Sequence, residues 1–158
     1  MIARGALLVA MAAVPAVISS NPALQPLRLT HAEVLALPSM GAGAGTSGIA
    51  GIQTRVLAGD PAASGPYTIL LSVPANTKIA AHRHRDDRVA TIVSGTWHFG
   101  YGTVADDGTK ALGPGGFYTE PAGISHFART GAEPVTLTIH GFGPTDTKYE
   151  TPSADPRR

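Results

Sequence analysis

At 158 residues the chain holds one ordinary domain, and 12 Lys and Arg against 11 Asp and Glu leave a net charge of +1. Charged residues make up 15% of it, against roughly a quarter in a typical globular protein. No basic surplus or stripe marks a nucleic-acid binder. With no cysteine, disulfides, thiolate metal sites and a cysteine nucleophile are excluded. Six histidines, at positions 31, 82, 84, 98, 126 and 140, are then the only imidazole ligands.

Residues 1–20 read as a secretory signal: Arg4 in a short basic head, an apolar run from Gly5 to Ile18, then Ser19-Ser20. The run is too short for a stable membrane span and Pro15 interrupts it, so an exported protein, periplasmic or secreted, is expected. Residues 21–51 form an N-terminal segment. Within it, Thr30 to Leu37 predicts one short helix, with Thr30 as N-cap, Glu33 three residues on and Pro38 as the stop. Ser39 to Gly51 is Gly/Ala/Ser-rich without periodicity and reads as a flexible loop.

From Ile52 onward the chain is strand-like. Ile52–Leu57, Tyr67–Val73, Thr77–His82, Val89–Val93, Thr96–Tyr101, Gly116–Glu120, Ser125–Arg129 and Val135–Gly141 are the predicted strands, parted by Gly-, Pro- and Asn-rich turns. Short strands closed by tight turns predict an all-β antiparallel sandwich or barrel over residues 52–143. The polar, Pro-punctuated tail, 144–158, is expected to wrap the surface or fray. Trp97, Phe99 and Tyr101 share one strand face, read as core, which leaves His98 on the other face. Val135, Leu137 and Ile139 share a face opposite His140, and His31 is expected to be exposed. Asp86 and Asp87 read as a solvated turn.

The chemistry gathers at His82-Arg83-His84, where positions i and i+2 of a strand present two imidazoles on one face, a pincer for a divalent metal. Further on, Gly115-Gly116-Phe117-Tyr118-Thr119-Glu120-Pro121-Ala122-Gly123-Ile124-Ser125-His126 supplies a third histidine. In these two stretches the chain resembles the cupin superfamily. His82, His84 and Gly95 match the first cupin motif, and Gly115, Pro121, Gly123 and His126 match the second. The resemblance implies a cupin-type antiparallel jelly-roll barrel behind the short N-terminal helical segment. It also implies an interior metal or ligand site, small-molecule chemistry of the dioxygenase, decarboxylase, isomerase or lyase type, and a homodimer.

Three departures stand out. Asn76 replaces the first motif's leading Gly, which Asn tolerates because it adopts the left-handed conformation, and Thr130 replaces the second motif's closing Asn. Arg88 takes the place of the ligand Glu, and a permanent cation cannot ligate a metal. Three arrangements follow. His82, His84 and His126 hold a divalent transition ion (Fe, Mn, Ni, Cu or Zn) with water on the open positions. Glu120 supplies the missing carboxylate, or pairs with Arg88. Alternatively, the barrel is a metal-free, non-catalytic binding module in which Arg88 grips the carboxylate of a small organic ligand. In a catalytic version, Arg88 orients an anionic substrate.

Overall fold

The computed structural model describes residues 24–41 and 43–158, so the signal read at residues 1–20 lies outside the described residues. The first element is α1, His31–Ala36. Thr30 and Glu33 close a reciprocal capping box on it, as their spacing predicts, and Leu37 ends it before Pro38. None of its residues is buried, so its stability comes from the cap rather than from packing.

Ten strands follow. They are β1 (Gln53–Ala58), β2 (Gly65–Val73), β3 (Lys78–Arg83), β4 (Arg88–Ser94), β5 (Trp97–Tyr101), β6 (Lys110–Leu112), β7 (Phe117–Glu120), β8 (His126–Thr130), β9 (Val135–Gly143) and β10 (Lys148–Tyr149). They form two antiparallel five-stranded sheets, ordered β1-β2-β9-β4-β7 and β10-β3-β8-β5-β6. All eight strands expected from alternation are present, with ends shifted by a residue or two. β6 and β10 were not expected, because two or three residues are too few to display a period of two. β10 corrects the reading of the tail: Lys148 and Tyr149 pair with Arg83 and His82 and extend the second sheet.

The core lies between the sheets. Tyr67, Ile69, Leu71 and Val73 of β2 and Val135, Leu137 and Ile139 of β9 point inward, as alternation demands, against Ile79, Ala90, Ile92, Trp97, Phe99 and Tyr118. Tyr101 departs from the expected aromatic core face. It sits at the end of β5 with 52% of its surface exposed, and its hydroxyl donates to the Thr119 carbonyl. Two turn positions show why the motif residues are what they are. Asn76 takes φ 56°, the left-handed conformation its side chain tolerates. Gly95 takes φ 78°, and a Cβ there would stand 2.3 Å from the Pro134 carbonyl oxygen.

Three features of this frame set up the site. A bulge between Ile79 and His82 shifts the parity of β3, so that both residues face inward although they are three apart. Beyond it, His82, His84, Asp86 and Arg88 keep one parity and all four are buried. β4 lies between β7 and β9, which sets Arg88 directly opposite Glu120 on one side and Gly141 on the other.

Candidate metal centre

His82 and His84 come from the end of β3 and the turn after it, and His126 opens β8, where it pairs with His82. Their ring centroids are 4.5 Å (His82–His126), 5.0 Å (His82–His84) and 5.1 Å (His84–His126) apart. One ring nitrogen from each lies within 4.8 Å of the other two. The second ring nitrogen identifies which. Each Nδ1 faces a backbone carbonyl: Ala80 at 2.8 Å for His82, Asp146 at 2.5 Å for His84 and Ile124 at 3.1 Å for His126. A carbonyl only accepts, so each Nδ1 carries the proton and donates. Each Nε2 is left with a bare lone pair, the tautomer that binds metals.

Burial keeps these rings neutral. It depresses the His82 pKa to about 4, with the neighbouring His126 adding to the effect. His84 is lowered further, by burial first and the Arg88 guanidinium second. Burial also lowers His126, against the opposing pull of Glu120. His126 Nε2 is buried without a hydrogen-bond partner, and its nearest carboxylate oxygen, Glu120 Oε1, stands 3.5 Å away. An unsatisfied buried nitrogen is costly, and a metal ion at this locus would satisfy it. Three convergent, neutral, carbonyl-anchored imidazoles therefore fit a divalent ion.

Arg88 and Glu120 stand beside the histidines as an ion pair. Arg88 Nε donates to Glu120 Oε2 at 2.5 Å, and Nη2 contacts the same oxygen more closely still. Nη2 also donates to His84 Nε2 at 2.5 Å, while Nη1 donates to the Gly45 carbonyl at 2.9 Å. Burial works against both charges, yet each stabilises the other: Glu120 stays below the usual carboxylate range and Arg88 rises above the usual guanidinium range. Glu120 Oε2 lies 3.8 Å from His84 Nε2, a polar contact rather than an ion pair because His84 is neutral. All five residues singled out from the motifs, His82, His84, His126, Glu120 and Arg88, are thus brought to one place. His98 and His140 are not: His98 lies on the outer face of β5, and exposed His140 meets Thr68 at 3.0 Å.

Asp86 overturns the expected solvated turn. It is buried, accepting from Tyr67 Oη at 2.8 Å and from Thr145 Oγ1 at 2.5 Å. Its parity with His84 and Arg88 was the available signal. Gly141 makes the room, since a Cβ there would stand 2.5 Å from Tyr67 Oη and 2.8 Å from Asp86 Oδ2. Asp87 is exposed, as expected, and accepts from the Ala122 backbone N–H.

The 39–51 stretch also differs from a free loop in its middle. Gly45, Thr46 and Ser47 are buried, and their carbonyls accept from Arg88, Thr147 Oγ1 and Tyr149 Oη in turn. Gly45 and Ser47 thereby help enclose the interior cavity that His82, His126, Arg88 and Glu120 line. That cavity is about 20 Å³, room for one water or one ion. A far larger hollow, about 790 Å³, lies on the outer face of β3 and β8 beside Lys78 and Arg129 and contains none of the histidines.

Two sheets closing over three inward histidines define a small cupin barrel. The family described as ChrR Cupin-like domain matches residues 44–146, and the chain belongs to it. Among solved structures, the chain is similar to the polyketide cyclase RemF from Streptomyces resistomycificus, with TM-score 0.62 and 19% identity, covering 83% of this chain and 90% of that one. It is also similar to a DMSP lyase structure, with TM-score 0.57 and 16% identity over 72% of this chain, and it spans only 62% of that lyase. An RmlC-like cupin from Shewanella frigidimarina gives TM-score 0.52 at 19% identity, covering 67% and 83% of the two chains. At these identities the likeness concerns the fold. No curated protein matches the chain by sequence.

Proposed function

We propose that the protein is a metal-dependent cupin acting on a small organic molecule, with a divalent transition ion held by His82, His84 and His126. The observation that carries this reading is the set of three Nδ1–carbonyl bonds, which leaves the three Nε2 atoms unprotonated and close together, that of His84 accepting from Arg88. An ion bound there supplies Lewis-acid chemistry at an oxygen, or one-electron chemistry if it is redox-active. The protein's own contribution is the ordering of the rings, a small cavity of about 20 Å³, and a charged pair, Arg88 and Glu120, at its wall. Two structural relatives, a polyketide cyclase and a DMSP lyase, are named for small-molecule activities, which supports this reading. The signal-like pattern read at residues 1–20 supports export from the cytoplasm, which N-terminal sequencing of the mature chain would check.

The test is elemental analysis of the purified protein beside His84→Ala. About one equivalent of a divalent metal, lost in the variant, is expected. The buried Arg88 guanidinium at the cavity wall supports a second reading, a non-catalytic module that takes up a small carboxylate without metal. A metal-free native protein whose thermal unfolding is raised by carboxylates would select that alternative.

A further inference from the structure

Arg88 and a divalent ion at the three-histidine locus need the same atoms. Nη2 of Arg88 donates into the lone pair of His84 Nε2, the nitrogen that the carbonyl-bound Nδ1 leaves free for a metal. The same Nη2, with Nε, engages Glu120, whose two oxygens stand 3.5 Å from His126 Nε2 and 3.8 Å from His84 Nε2. Four of the five guanidinium donors are in use, on Glu120 twice, on His84 and on Gly45. A nitrogen lone pair cannot serve an N–H donor and a metal at once. A guanidinium cannot be deprotonated to make way, so its charge stays near any ion that binds.

We propose that Arg88 is an internal competitor for the metal site: its Nη2 holds His84 Nε2 and Glu120 in the ion's stead, and ion binding requires the guanidinium to withdraw from His84. This rests on the metal reading of the three histidines. It makes Arg88 a positioning residue that lowers metal affinity, and Glu120 the acid that faces the ion once Arg88 lets go. The exchange has a simple structural basis. Arg88 and Glu120 are partners on neighbouring strands, so the acid missing from β4 is supplied one rung across, from β7.

The experiment is the Zn²⁺ dissociation constant of the full chain, measured by competition with a chromogenic chelator, for the native protein, Arg88→Gln and Arg88→Lys. Gln removes the cation but keeps a donor for Glu120, and Zn²⁺ binding should tighten by about tenfold or more. Lys keeps the cation and should bind no tighter than the native chain. Uptake by the Gln variant and not by the native chain supports the proposal in its strongest form. Equal or weaker binding by folded Arg88→Gln overturns it, as does equally tight binding by Arg88→Lys. If neither the native chain nor Arg88→Gln takes up Zn²⁺, the metal reading itself fails. Should Arg88→Gln not fold, the native chain still decides: Zn²⁺ titration should shift the Arg88 side-chain N–H resonances, and binding that leaves them unmoved overturns the competition.

Discussion

The two ends of the barrel interior are equally buried and held together in opposite ways. One end is Val73, Ile92, Val135 and Leu137, where each side chain contributes apolar area and needs no particular partner. The other is His82, His84, Asp86, Arg88, Glu120 and His126, where each group, His126 Nε2 apart, is tolerable because another answers it. Burial stabilises the first end and works against the second, which therefore depends on pairing. The apolar end sets how stable the barrel is. The polar end spends part of that stability to hold unsatisfied ligating nitrogen at a fixed place.

That contrast is sharpest in how losses add. Glu120→Leu leaves the Arg88 guanidinium buried without its carboxylate and should cost about 3–5 kcal/mol in urea unfolding. The double variant Arg88→Met with Glu120→Leu should cost less than Glu120→Leu alone, because no charge is stranded. Additive losses would show that the pair does not act as a unit. Trp97→Ala should cost about 3–5 kcal/mol by cavity formation, and because Trp97 lines the same cavity as Arg88 and Glu120 its loss should couple with changes there. A fully stable variant would show that the indole adds nothing to the packing of the core.

Acid separates the two ends without mutation. Unfolded histidine takes up its proton near pH 6.5, whereas folded His82 stays neutral down to about 4. The unfolded chain thus binds more protons across that window, and stability falls as pH drops through it, by about 3 kcal/mol for His82 alone. Below it, protonation of Glu120, whose folded pKa is held down by Arg88, removes a further contribution. Chemical denaturation from pH 7 to 4 checks this, and a flat profile over pH 6.5–4 would mean the rings are solvated. The smallest effect is at Tyr67→Phe, which removes one donor from buried Asp86 and should cost about 1.5–3 kcal/mol. If that change is neutral, water replaces the hydroxyl and the polar end is wetter than its packing indicates.

What the chain's sequence determined by itself is whatever short-range pattern encodes. Eight strands follow from alternation, α1 from the Thr30–Glu33 spacing, the turn at Asn76 from its tolerance of positive φ, and the three histidines from their motif positions. Each of these signals lies within a few residues of the feature it specifies. The partners of the polar end do not. Arg88 meets Glu120 32 positions away, Thr145 reaches Asp86 across 59, and Tyr149 reaches the Ser47 carbonyl across 102. Only the tertiary structure decided these, because a buried polar group is satisfied by whichever donor or acceptor the closed barrel brings within reach, and chain separation carries no record of that distance. So the histidine ligands and Glu120 as a candidate partner of Arg88 were legible, while the contact of Arg88 with His84 and the burial of Asp86 against Tyr67 and Thr145 were not.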